Sequence, residues 1–152
     1  MQKILKTLVI AFILIGCNNN QAQQTVAPVE NIDAKKFKEL SDASEVIILD
    51  VRTPEEVEEG YINGASAIDF YDSDFEEKIN LIQKDKPVFV YCKGGGRSAQ
   101  AAEILQKNGF NKVYNLSGGI MSWENNGFPV VIDVRTRENK ITAATLQGDR
   151  VG

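Results

Sequence analysis

The chain has 152 residues, 43% of them hydrophobic and 25% charged, with a formal charge of −4, which suits one domain with a packed core and is too little for two. A mildly acidic chain without a basic cluster is a poor match for a polyanion, so no nucleic-acid partner is expected. With no histidine and only two cysteines, Cys17 and Cys92, the chain cannot run Ser-His or Cys-His catalysis or build a thiolate cluster alone; no metal and no cofactor are expected.

In chain order, the first segment reads as an address. Lys3 and Lys6 precede the apolar run Leu8 to Ile15, which Gly16-Cys17 closes. That is the build of an export signal, and the run is well below the roughly 20 residues a membrane-spanning helix needs. Leu14-Ile15-Gly16-Cys17 resembles the bacterial lipoprotein signal. The resemblance implies cleavage of residues 1–16, lipid on Cys17, and an exported chain anchored in the bacterial cell envelope, on the periplasmic side or the cell surface. Several acyl chains, at about 0.8 kcal/mol per buried CH₂, make a stable anchor. Residues 17–28 are rich in Asn and Gln and read as a solvated tether.

From residue 29 strands and helices alternate. Asp33 to Leu40 reads as a helix capped by Asp33, and Val46 to Asp50 as a strand buried on both faces. Thr53-Pro54-Glu55-Glu56 opens a helix with a capping box between Thr53 and Glu56 and proline in its first turn; Gly60 ends it. Ala65 to Ile68 is a weaker strand. Ser73 and Glu76 form a second capping box, predicting a helix to about Gln83. Pro87 to Tyr91 is the clearest strand, Ser98 to Asn108 a helix stopped by Gly109, Lys112 to Leu116 a strand, and Gly119 to Asn126 a last helix. The pattern predicts an α/β fold with a mainly parallel central sheet and helices on both faces, its site where strands end and helices begin.

Cys92 stands at such an end, in Cys92-Lys93-Gly94-Gly95-Gly96-Arg97-Ser98. Glycines let successive amides turn toward one anion, the next helix presents its positive end, and Arg97 adds a fixed charge. All three favour thiolate over thiol, making the sulfur nucleophilic near neutral pH. A lone cysteine at a strand end is more often packing, and it is the combination with glycines and arginine that reverses this. The phosphate-binding pattern G-x-x-x-x-G-K-[ST] is absent.

This loop resembles the C-x-x-G-x-R active-site loop of the rhodanese family. Leu49-Asp50-Val51-Arg52-Thr53-Pro54-Glu55-Glu56 resembles that family's D-V-R-x-x-x-E segment, and Gly60-Tyr61-Ile62-Asn63-Gly64-Ala65 its G-H-I-x-G-A segment, with tyrosine in place of histidine. Leu116-Ser117-Gly118-Gly119-Ile120-Met121-Ser122-Trp123, followed by Gly127-Phe128-Pro129-Val130, resembles its ending. The resemblance implies a rhodanese-like domain over residues 29–131 and a thiosulfate sulfurtransferase-type enzyme. Cys92 would take sulfur from thiosulfate or a related donor as a persulfide and pass it to a thiol or to cyanide. The amides of Lys93, Gly94, Gly95, Gly96 and Arg97 would hold the persulfide, and Arg97 would anchor the loop and attract the donor. Asp50 and Arg52 read as polar support for a turn, with a role in orienting the loop as the alternative. Trp123 reads as core.

The partners expected are a small sulfur donor, a thiol acceptor that is a small molecule or a protein, and the membrane through its lipid anchor; the protein is expected as a monomer. Three rivals stand beside the sulfurtransferase. Related cysteine phosphatases carry a C-x₅-R loop, one residue longer than the C-x₄-R found here. A thiol oxidoreductase would need an external resolving thiol, because Cys17 is committed to lipid. A tethered, non-catalytic binding module would ordinarily have lost the cysteine. Residues 132–152 are a C-terminal extension in which Ile132-Asp133-Val134-Arg135-Thr136 repeats the wording of residues 49–53, without an assigned role.

Overall fold

The structure, a computed structural model, describes residues 28–133. The signal segment, Cys17 with its expected lipid, nearly all of the tether and most of the C-terminal extension lie outside the described residues. Five strands, β1 (Glu30–Ile32), β2 (Ile47–Asp50), β3 (Ala65–Ala67), β4 (Val88–Tyr91) and β5 (Val113–Leu116), alternate with five helices, α1 (Ala34–Ala43), α2 (Pro54–Glu58), α3 (Phe75–Ile79), α4 (Gly96–Lys107) and α5 (Gly119–Asn125). The strands form one sheet in the order β1-β5-β4-β2-β3, and every pairing is parallel.

Side chains alternate across a strand, so a sheet covered on both faces needs two sets of apolar residues. On β4, Val88 and Val90 join the core that contains Phe75 and Ile79 of α3 and Ala101, Ala102 and Leu105 of α4. Phe89 and Tyr91 join the opposite core, with Phe37 of α1 and Ile120 and Trp123 of α5. Phe37 meets Phe89 and Trp123 edge-on, with ring centroids 5.1 and 6.0 Å apart. Cys92 continues the Val88–Val90 alternation beyond the strand end and is counted in the α3/α4 core.

The chain runs outward from β2 to β3 and, in the other direction, from β4 to β5. The crevice between the C-terminal ends of β2 and β4 is therefore a switch point, the usual place for a site in such a sheet. Asp50 lies beside Tyr91 in that register, so the segments Asp50–Arg52 and Cys92–Arg97 leave the sheet side by side.

Several local expectations need correction. β1 carries no apolar run and escapes sequence reading; it is held to β5 in register and by Asn115 Nδ2 donating to Asn31 Oδ1 at 2.7 Å. The helix expected from Ser73 to Gln83 is the five-residue α3. It begins after Asp74, which makes no side-chain cap bond, because Asp72 and Asp74 are both drawn to Lys78 at 2.6 and 2.9 Å. The chain then turns, with Ile82 N–H donating to Ile79 at 3.0 Å and Leu81 left exposed. α4 begins at Gly96, two residues ahead of the expected Ser98. The capping box of α2 forms as expected, Thr53 and Glu56 each accepting from the other's backbone N–H.

Candidate active site

Cys92 is 1% exposed, and polar donors nonetheless converge on its sulfur. Gly95 N–H donates to Sγ at 3.1 Å. The Ser98 hydroxyl lies 3.4 Å from Sγ and 3.1 Å from the Gly95 carbonyl, so its proton is shared between them. The N-cap residue of α4, Gly95, has no capping side chain, leaving first-turn amides free; the sulfur occupies the position a capping oxygen would take. Burial pushes the thiol pKa up. The Ser98 hydroxyl and the amides of Ser98, Gly95 and Gly94 together outweigh burial and bring it below the ordinary thiol value.

The other face of the loop explains why the amides point inward. The carbonyls of Cys92 and Lys93 are turned away from the sulfur and accept from the first-turn amides of α5, Ile120 at 2.8 Å and Met121 at 3.2 Å. Gly119 sits against those two carbonyls at φ +59°, and a Cβ there would be driven into both. Gly95, at φ +96°, packs against the Gly118 amide, 3.0 Å from where its Cβ would be. Of the three consecutive glycines, Gly95 alone has a positive φ, while Gly94 and Gly96 face open space. The curl thus rests on one glycine of the loop and on the two glycines that open α5.

Arg97, in the first turn of α4, interacts with Cys92 through its charge and makes its side-chain hydrogen bonds to Glu56. Its Nη1 and Nη2 donate to Glu56 Oε2 and Oε1, each at 2.7 Å, and its guanidinium lies 5.6 Å from the Tyr71 ring centroid. Glu56 Oε2 also accepts from Thr53 N–H at 3.1 Å. Bonding from Arg97 outweighs partial burial, and with the Thr53 amide it holds the Glu56 carboxyl at about 2. Glu56 in turn raises the Arg97 pKa. Lys93 is exposed at the rim.

Asp50 and Arg52 form a buried pair beneath the loop, 1% and 4% exposed, with Arg52 Nη2 donating to Asp50 Oδ2 at 2.6 Å. Arg52 also donates to the carbonyls of Glu56 at 2.9 Å and Gly60 at 2.6 Å, and its guanidinium lies 5.7 Å from the Tyr91 ring centroid. The pair ties the end of β2 to α2 and to the turn at Gly60. Burial, then the Asp50 charge, raise the Tyr91 phenol above its ordinary pKa; its oxygen accepts from Ile62 N–H at 3.1 Å. Tyr61, where the family resemblance expects histidine, pairs with Val131 through the backbone, at 2.9 and 2.7 Å. Trp123 is 4% exposed, its Nε1 donating to the Pro129 carbonyl at 2.9 Å.

Sequence reasoning missed three participants. Ser98 reads from sequence only as a helix start, Glu56 as a cap and as the glutamate of the D-V-R-x-x-x-E segment with no role at the site, and the α5 amides not at all. The signal for Ser98 was its place two residues into a helix that begins at Gly96, facing back along the loop. Among the described residues no group of three His, Cys, Asp or Glu side chains converges as a metal site, and no helix is long and apolar enough to cross a membrane.

The model of the rhodanese-like domain matches residues 33–126. The chain belongs to that family. A sulfurtransferase of Allochromatium vinosum is 36% identical over 104 residues, covering 68% of this chain and 95% of that protein. The crystal structure of a rhodanese-related protein from Thermoplasma volcanium is 38% identical and superposes with a TM-score of 0.61, over 68% of this chain and 99% of that one. A tRNA uridine(34) hydroxylase of Pelagibacter ubique is 34% identical over 97 residues, yet the match spans only 32% of that longer protein. The rhodanese-like fold expected from sequence is the fold found, a five-stranded parallel sheet with helices on both faces.

Proposed function

We propose that the protein is a sulfurtransferase that carries sulfane sulfur as a persulfide on Cys92, loading from thiosulfate or a related donor and unloading to a thiol or cyanide. One observation carries the reading: Cys92 Sγ receives the Gly95 amide and the Ser98 hydroxyl at the start of α4, with its pKa depressed despite burial. An inert packing cysteine has no such donors.

With thiosulfate, the Cys92 thiolate attacks the outer sulfur, the donor S–S bond breaks, and sulfite leaves with the bonding pair. A new Cys92 S–S bond forms, and the negative charge rests on its terminal sulfur. The loop amides that face the thiolate would hold this anion as well. In the second step an acceptor thiolate attacks the terminal sulfur, the Cys92 S–S bond breaks, and Cys92 leaves as the thiolate that began the cycle. The sulfurtransferase name of the Allochromatium relative supports this reading. The hydroxylase name does not extend to a chain that matches a third of that protein. Export and lipidation at Cys17 complete the proposal, with the domain held at a membrane surface.

Steady-state thiocyanate formation from a sulfane donor and cyanide tests the activity. The wild-type chain turns over and Cys92→Ser does not. Equal rates for the two proteins contradict the assignment. Incorporation of radiolabelled fatty acid, lost in Cys17→Ser, checks the anchor.

A further inference from the structure

The Cys92 loop is tied to α2 through the Glu56–Arg97 ion pair, yet α2 itself buries none of its side chains. Glu55, Glu56, Glu58 and Glu59 all fall within this helix and its C-cap, and no basic residue stands in its last turn. Carboxylates suit the positive end of a helix, so Glu55 and Glu56 are well placed. Glu58 and Glu59 stand at the negative end, and Glu55 lies three and four residues before them on the same side of the helix. The C-terminal end of α2 therefore calls for cations.

The described residues end at that spot. Val131 pairs antiparallel with Tyr61, and the side chains of Val130 and Ile132 lie 3.0 and 3.6 Å from where a Cβ on Gly60 would stand. The antiparallel sense carries Ile132 and Asp133 back past Gly60 toward Glu59. Val134-Arg135-Thr136-Arg137 follow. At about 3.3 Å per residue Arg135 stands within about 10 Å of Ile132 and Arg137 within about 17 Å, while a five-residue helix is only about 7.5 Å long. Charge favours the meeting. Residues 134–152 carry four basic and two acidic side chains, and residues 28–133 carry 11 basic and 19 acidic ones. The segment also lies beyond residues 33–126, the part matched by the model of the rhodanese-like domain, so its role is this chain's own.

We propose that residues 134–137 dock along α2 as a strap, Arg135 and Arg137 pairing with the carboxylates of Glu55, Glu58 and Glu59, and so steady the helix that holds Arg97. The two arginines are positioning residues, acting on the Cys92 loop through α2 and Glu56. The strap holds whether or not Cys92 carries sulfur.

The test is amide hydrogen exchange of α2 in the purified full chain, followed by mass spectrometry. The double variant Arg135→Glu/Arg137→Glu exchanges α2 roughly fivefold faster than wild type, the effect of losing two partly exposed ion pairs. Arg135→Lys/Arg137→Lys keeps the charges and stays near wild type. About 1 M salt removes most of the difference between wild type and the glutamate variant, because the lost contact is screened in both. In a chain carrying Glu55→Arg/Glu59→Arg the contact is repulsive, and there the same arginine-to-glutamate reversal slows exchange. That change of sign separates pairing from general damage, since a fold weakened at residues 135 and 137 exchanges faster in both backgrounds. An effect of one sign in both backgrounds overturns the proposal. So does the absence of any effect in the wild-type background, or a difference that survives high salt, and these two readings stand even if the four-site variant fails to fold.

Discussion

Replacing Gly119 by alanine attacks the loop from behind, without touching the thiol. At φ +59° an L residue costs about 1–2 kcal/mol. The new Cβ is also driven into the carbonyls of Cys92 and Lys93, so the loop must move off α5. The bonds lost are those from the Ile120 and Met121 amides, at about 1 kcal/mol each. Together these reach about 3–4 kcal/mol, which lowers Tm by about 12–16 °C at roughly 4 °C per kcal/mol for a domain of this size. Freed from α5, the two carbonyls can swing toward the sulfur and the amides away from it, so the thiol pKa rises as well. Thermal unfolding by circular dichroism and the pH dependence of Cys92 alkylation read the two effects separately. Gly94→Ala is the control: its Cβ meets open space at a φ any residue adopts, and stability should stay within about 0.5 kcal/mol. A Gly119→Ala protein with Tm within about 2 °C of wild type and an unchanged alkylation profile would refute the idea that α5 orients the loop.

Arg52→Met leaves the Asp50 carboxylate buried without its partner, and chemical denaturation should show a loss of about 3–5 kcal/mol; a loss below about 1 kcal/mol would place the pair among those of little consequence. Ser98→Ala removes one donor to the thiolate, so Cys92 alkylation at neutral pH should slow by roughly tenfold, the worth of one hydrogen bond to an ionised group, with little change in stability. The Glu56 carboxyl is depressed from 4.5 to about 2, so the stability contributed by its pair with Arg97 is fully present above the ordinary carboxylate value and is lost as pH falls toward about 2. Below that range Glu56→Gln and wild type should converge in Tm, and a gap that persists there would assign the difference to something other than the ion pair.

Much of the site was legible because its chemistry is local. Cys92, the glycines and the start of α4 stand within seven consecutive residues, and β4 announces itself as an unbroken apolar run. The capping box of α2 spans four residues and forms as read. What escaped depends on partners far apart in sequence. Glu56 and Arg97 are 41 residues apart, and nothing local to Glu56 separates a clamp from a cap. The α5 amides serve carbonyls on another element, and their sequence trace is Gly118-Gly119, which reads as a helix start with no named partner. β1 was invisible because a three-residue edge strand with one apolar side chain has no periodicity to detect. α3 was overextended because Ile79 and Ile82 imitate a helical spacing, while Lys78 draws in both preceding aspartates.

Intact mass of the full chain, taken before a sulfane donor, after it and again after cyanide, tests the central claim most directly. The account predicts a gain of one sulfur atom, mapped by peptide fragmentation to Cys92, and its removal by cyanide, with neither change in Cys92→Ser. A folded wild-type chain that gains no sulfur from thiosulfate or from an alkyl persulfide would contradict it.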